Sequence, residues 1–243
     1  MKLGEYLRNT LRPSALFDVR RSFRRFISVA REDAGWLNPL LDNPDAAMAA
    51  GGILKDDDGD TVVRVDFAGR PLVIKRYNLK SMAHALSRAF RPSRAWRSWR
   101  EGHRLRFLGI HTPQPRAMIE ERLGPIRRRA WIITDYCPGP TMIERLKPHV
   151  DAAAPPPAEG AALLRLMEAF YANRIKHGDF KANNLLWDEA MGSIIVIDLD
   201  ATAQHAFPFA AARAWRRDRA RLLANWPKES GLHRWLDGRL PKA

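Results

Sequence analysis

Residues 177–184 read HGDFKANN, from His177 to Asn184, and residues 197–200 read IDLD, from Ile197 to Asp200. Two short apolar runs, NLLW and SIIVID, fill the interval between them, and ahead of them GAALLRLMEAFYANRI has the spacing of a strong helix. The polar cluster is therefore expected on a loop after a helix, with IDLD closing the second of two strands. Asp179, Lys181, Asn184 and Asp198 are the residues that stand out. Their bland alternative is a set of loop polars and caps.

Working outward, residues 151–160 (DAAAPPPAEG) read as a surface linker, and the Arg/Trp-rich C-terminus reads as helical. Upstream, GGILK, TVVRVDF and PLVIKRY form three β-rich runs separated by the turn signals DDDGD and AGR. Three antiparallel strands fit best. The segment from Lys80 to Arg106 reads as helix broken near Pro92, carrying many arginines between Trp96, Trp99 and Leu105. PRAMIE and AWIITDY then supply two further strands, ended by Pro138, Gly139 and Pro140. Nearer the N-terminus, Val19, Phe23, Phe26, Ile27 and Ala30 recur at helical spacing, with Arg20, Arg21, Arg24, Arg25 and Arg31 on the other face. This predicts a basic amphipathic helix, either adsorbed to an anionic membrane face or packed on the main domain.

With 243 residues, 46% of them hydrophobic, the chain can bury a core, which excludes a disordered or fibrous class. A single cysteine, Cys137, and the lack of zinc-ligand spacing point to a reducing compartment without a structural metal. No signal-peptide core and no 18-residue apolar stretch is present, so a cytoplasmic protein is expected, peripheral on a membrane if it touches one. The net charge of +14 and pI near 10.7 call for an anionic partner. Nucleic acid ranks behind lipid and phosphorylated substrates, because no nucleic-acid-reading motif accompanies the charge.

HGDFKANN followed by IDLD resembles the catalytic loop and metal-binding motif of the protein-kinase-like superfamily. There an Asp is followed by a Lys two residues on, an Asn five residues on, and a second Asp after one strand. Counting His177 of the same motif, a fixed set of five such positions arises by chance in roughly one in ten thousand chains of this length. The resemblance implies that Asp179 orients the acceptor hydroxyl and takes its proton, and that Lys181 neutralises the transferred phosphoryl group. Asn184 and Asp198 would hold Mg2+ together with the phosphates of ATP. His177 would support the loop, Asp200 would stabilise a turn or join the metal shell, and Asp218 would either anchor the loop or form a surface ion pair.

Lys75 matches the lysine that grips nucleotide phosphates, with Glu101 its expected ion-pair partner because it is the sole acid between Lys75 and the following strands. AWIITDYCPGP resembles the strand and hinge that hold adenine, with Thr134 at the back of the pocket and the backbone of Asp135 and Cys137 on the base edge. Two departures stand out: KDDDGD has one glycine where kinases have a glycine-rich loop, and no long activation segment follows Asp198.

VIKRYN, SRAWRSWREGHRL, LGIHTPQP, ITDYCPGP, HGDFKANNLL and IDLD together resemble the bacterial lipopolysaccharide core kinase family, which phosphorylates heptose or Kdo, over about residues 50–225. The resemblance implies an α+β, two-lobed fold with a small antiparallel-sheet N-lobe and a mostly helical C-lobe. It divides the chain into a basic N-terminal helical extension (1–50), an N-lobe (51–137) and a C-lobe (138–243). It also implies ATP, Mg2+ and an anionic glycolipid acceptor at the cytosolic face of the inner membrane. A small-molecule or atypical Ser/Thr kinase, and a pseudokinase that binds partners, are the competing readings.

Overall fold

A computed structural model describes residues 1–78 and 92–242. The chain divides into two units, Met1–Phe107 with Pro113–Tyr136, and Leu108–Thr112 with Cys137–Ala243.

In the first unit, helix α1 (Leu3–Asn9) precedes strands β1 (Phe17–Arg21) and β2 (Arg25–Ala30), helices α2 (Ala34–Asp42) and α3 (Pro44–Ala49), and strands β3 (Gly52–Asp57), β4 (Asp60–Phe67) and β5 (Arg70–Tyr77). Helix α4 (Arg94–Phe107) and strands β6 (Pro115–Leu123) and β7 (Ile126–Asp135) complete it. The strands form one antiparallel seven-stranded sheet in the order β1-β2-β6-β7-β5-β4-β3. Alternation along the strands sends Ile27, Val29, Val63, Val65, Leu72, Ile74 and Ile133 to one core, which α2 caps with Leu37, Leu40 and Leu41. Phe17, Val19, Phe26, Tyr77, Met118 and Ile132 face the other core, which α4 fills with Ala95 and Trp99. The five strands expected after residue 50 are present. Of the helix expected from Lys80 to Arg106, the part over 79–91 lies outside the described residues.

The N-terminal amphipathic helix is corrected: residues 17–30 are a β-hairpin inside the sheet, so residues 1–50 are not a helical extension. The apolar residues fit a 3.6-residue period by coincidence, whereas β2 is paired on both edges and buried on both faces. The turn contains no Gly, Pro or Asn. Ser22 closes it instead, its Oγ accepting from the amides of Arg24 (3.3 Å) and Arg25 (3.0 Å). The arginines serve the fold. Arg25 donates to the carbonyls of Leu41 (2.5 Å) and Asp42 (3.1 Å) at the end of α2, Arg21 to that of Leu11 (2.8 Å), and Arg31 to that of Ser14 (2.7 Å).

The second unit contains α5 (Met142–Leu146), α6 (Pro157–Ala172), β8 (Ile175–Lys176), β9 (Leu185–Asp188), β10 (Ser193–Val196), β11 (Ala203–Gln204), α7 (Pro208–Leu223) and α8 (Gly231–Arg239). Strands β9 and β10 form one small antiparallel sheet, β8 and β11 another. Helix α6 takes over the last residues of the expected linker, with Pro157 at its first position, where a missing N–H costs nothing. The LGIHT segment belongs to this unit: Val196 N–H donates to His111 O (2.9 Å) and Thr112 Oγ1 to Val196 O (2.7 Å).

Candidate active site

The loop His177–Asn184 leaves β8 and is held from below by α7. Asp218, 2% exposed, accepts hydrogen bonds from the amides of His177 (2.6 Å) and Gly178 (3.0 Å). Of the two roles open to Asp218, the structure selects the loop anchor. Two residues missed in the sequence assist from the end of the same helix and the turn after it: Arg221 donates to Gly178 O, and Asn225 Oδ1 accepts from the amide of Ala182 (3.3 Å). Their only signal is closeness to Asp218 in the sequence, Arg221 one turn on in the helix and Asn225 just past its end. Gly178 has φ +85°, and a Cβ there would stand 2.7 Å from the carbonyl oxygen of Ala201, so the approach of the two chains requires glycine.

His177 is fully buried. Its Nε2 lies 3.0 Å from the carbonyl of Ile197 and its Nδ1 accepts from the amide of Asp179 (3.3 Å). One nitrogen must therefore carry a proton and the other must not, which defines a neutral ring. Burial lowers its pKa and outweighs the backbone bond to Ile197 and the surrounding carboxylates. It supports the loop, as expected, and is no acid or base. Phe180 is buried against Phe170 of α6, ring centroids 5.1 Å apart, which turns the polar residues on either side outward.

Asn184 Nδ2 donates to the carbonyl of Asp179 (2.8 Å) and approaches its Oδ2 (3.4 Å), while Lys181 Nζ lies 3.1 Å from Asp179 Oδ1. The Asp179 side chain is 37% exposed, open to a hydroxyl. Ile197 N–H donates to Asn184 O (3.0 Å), which sets the strand end carrying Asp198 beside Asn184. Asp198 has φ 59°, ψ 63°, a left-handed conformation uncommon outside Gly, Asn and Asp, and it starts the turn that contains Asp200. The structure thus gathers Asp179, Lys181, Asn184 and the Asp198 segment.

In the first unit, Asp60 lies opposite Tyr77 in the β4–β5 register, so its side chain shares a face with Tyr77 and Lys75. Lys75 Nζ is 3.0 Å from Asp60, which also takes Lys55 at 2.9 Å and Arg94 of α4 at 3.4 Å. Burial opposes the Asp60 charge, but the hydrogen bonds and charges of Lys55 and Lys75 prevail and hold its pKa below the usual carboxylate value. This corrects the expected Lys75–Glu101 pair. Glu101 sits on α4 as predicted, but its carboxylate is gripped by Arg104 one turn on, at 2.6 Å. Asp57 and Asp56 of DDDGD are likewise engaged, by Lys55 (2.9 Å) and by the Thr61 hydroxyl (2.8 Å), around an open depression of about 590 Å³.

At the strand end read as the hinge, Asp135 N–H donates to Gln114 O (3.0 Å), so its amide is already engaged. Its carboxylate is held by Arg116 at 2.7 and 2.9 Å, and Arg116 also binds Asp33 at 3.1 Å. The hydrogen bonds to Asp135 are the main reason the Arg116 pKa stands above its ordinary value. Thr134 Oγ1 donates to Asp135 O (3.2 Å), and Cys137 is half-buried at the start of the second unit's chain.

A sheet-borne lysine paired with a buried carboxylate, and a carboxylate–lysine–asparagine loop anchored on a helix, define the class: a phosphotransferase of the kinase fold. The chain belongs to the lipopolysaccharide kinase (Kdo/WaaP) family, whose model matches residues 54–230. Its activity is that of the family, phosphoryl transfer to a sugar hydroxyl of the lipopolysaccharide inner core, and the family's kinase chemistry implies ATP. Among solved structures it is similar to WaaP in complex with acyl carrier protein, at 21% identity and a TM-score of 0.62, over 84% of this chain and 83% of that one. That likeness bears on the fold. No curated protein matches the chain.

Proposed function

We propose that Asp179 orients the sugar hydroxyl and accepts its proton, and that Lys181 balances charge on the phosphoryl group in transit. Phosphoryl transfer has a loose transition state, so positioning and charge neutralisation are most of what a protein contributes. The observation that carries this reading is the loop itself, rigidly tied through backbone amides to Asp218 while Asp179 stays open to solvent. Asn184 turns its nitrogen edge to Asp179, so its amide oxygen is on the opposite edge, and with the Asp198 carboxylate it offers the hard oxygens that Mg2+ prefers. Magnesium held there with the nucleotide would neutralise phosphate charge. Lys75, steadied by Asp60, binds the phosphates of ATP. The Asp135 carbonyl and the Cys137 backbone meet the adenine edge.

The acceptor glycolipid and the charge of +14 support work at the cytoplasmic face of a bacterial inner membrane. No helix among the described residues is long and apolar enough to cross a membrane. The test is transfer from γ-labelled ATP to purified inner-core lipopolysaccharide, to a protein acceptor and to soluble sugars. Label is expected in the glycolipid, lost with Asp179→Ala and dependent on Mg2+. Label in protein or in a soluble sugar alone would refute the acceptor assignment.

A further inference from the structure

The helix that anchors the catalytic loop also exposes an aromatic knuckle at its other end. Phe207 and Phe209, 64% and 76% exposed, flank Pro208 at the start of α7 and stack with ring centroids 5.8 Å apart. Tyr171, at the end of α6, adds a third exposed ring at 42%. Behind them Phe170, Ile175, Pro208, Ala211 and Trp215, with Arg174, line a recess of about 250 Å³. The knuckle is fixed in place: Arg174 donates to Ala206 O (3.1 Å), His205 N–H to Arg174 O (2.9 Å), and Gln204 to Asn173 O (3.0 Å). Exposed rings held this rigidly mark a surface built to meet something apolar.

The surrounding charge identifies the partner. Phe209, Arg213, Arg216 and Arg217 lie four, seven and eight residues along one exposed face of α7. Residues 171–178 and 203–217 together carry Arg174, Lys176, Arg213, Arg216 and Arg217 and no acid, with Glu168 one turn back on α6. Rings at the tip and arginines along the flank are the pattern of a surface that seats in the interfacial layer of an anionic membrane. We infer that the Phe207–Phe209 end of α7 docks the protein on an anionic phospholipid bilayer. Ten residues separate Pro208 from Asp218, about 15 Å at helical rise. Docking at the first turn therefore sets the height of the catalytic loop, whose anchor is on the same rigid element. That consequence rests on the glycolipid acceptor; the docking itself does not.

The experiment is flotation of the full chain with phosphatidylethanolamine vesicles, with and without phosphatidylglycerol and no acceptor present. The unchanged protein should float with phosphatidylglycerol vesicles and be released by salt. F207S/F209S should lower partition at least about tenfold, and R213Q/R216Q/R217Q about a hundredfold. Serine at 207 takes a helix N-cap position now without a side-chain cap, so the first variant should fold. F23S, at the exposed hairpin turn of the other unit, should float like the unchanged protein. Unchanged flotation in both α7 variants overturns the inference, as does an acidic protein that binds this face while vesicles do not. With acceptor added, F207S/F209S should phosphorylate detergent-dispersed glycolipid normally and vesicle-embedded glycolipid poorly. If the unchanged protein phosphorylates neither, the acceptor reading fails while the flotation result stands.

Discussion

Asp218 and Asp60 are buried almost equally, 2% and 3% exposed, but one receives backbone amides, with a single cation, Arg221, at 3.7 Å, and the other receives three cations. Asp218 fixes the path of a loop. Its partners are adjacent in sequence, so its work is compressed into an octapeptide. Asp60 steadies a side chain, Lys75, and its partners come from two strands and a helix. A carboxylate that holds backbone can be expected to tolerate little, whereas one that gathers side chains leaves groups able to rearrange toward phosphate or water.

The largest effect should come from the residues that the Asp218-anchored loop presents. Asp179→Ala and Asp198→Ala should each lower turnover by about 10²–10⁴ with the thermal midpoint near that of the unchanged protein. A midpoint that falls in step with activity would make them structural and erase the contrast with Asp218. Next, Asp218→Ala leaves buried amides of His177 and Gly178 without an acceptor, at a cost of about 1–3 kcal/mol for each group. Denaturant unfolding should show that loss, and Asp218→Asn, which keeps one acceptor oxygen, should lose less.

Asp60→Ala should act differently, raising the KM for ATP about tenfold, since the loss of a charge partner of this kind is worth on the order of 1.4 kcal/mol. Glu101→Ala should leave that KM unchanged and lower stability, because it removes the carboxylate that grips the buried Arg104 at 2.6 Å. The reverse result would restore the Lys75–Glu101 pair.

A smaller effect concerns pH. His103 is buried beside Trp99 and Phe17, and burial, with Arg106 nearby, lowers its pKa from 6.5 to about 3. The unfolded chain binds more protons than the folded one between those values, so stability should rise with pH across that window, by at most about 1.4 kcal/mol per unit from this group. His177 contributes in the same direction. His103→Phe should flatten the dependence measured between pH 4 and pH 6, and an unchanged slope would show that His103 does not resist protonation.

Much of this was legible in the sequence, for reasons that differ by region. HGDFKANN works through bonds between near neighbours, such as Asn184 to Asp179 and His177 to the Asp179 amide, so its spacing carried its geometry. Strands β4 to β7 alternate between two cores, and DDDGD and AGR punctuate the run from β3 to β5, which made them readable. The hairpin of residues 17–30 was not, because Ser22 closes its turn without a breaker residue and its apolar positions mimic a helix. The partner of Lys75 was hidden for another reason. Asp60 reaches it only through the β4–β5 register, which no local pattern reports, whereas Glu101 is conspicuous as a lone acid on a helix.

The most direct measurement is mass spectrometry of lipopolysaccharide from cells that lack the protein, cells that carry it, and cells that carry Asp179→Ala. One phosphate on an inner-core sugar should be absent in the first, present in the second and absent in the third. Lipopolysaccharide with the same phosphate content in all three would contradict the account.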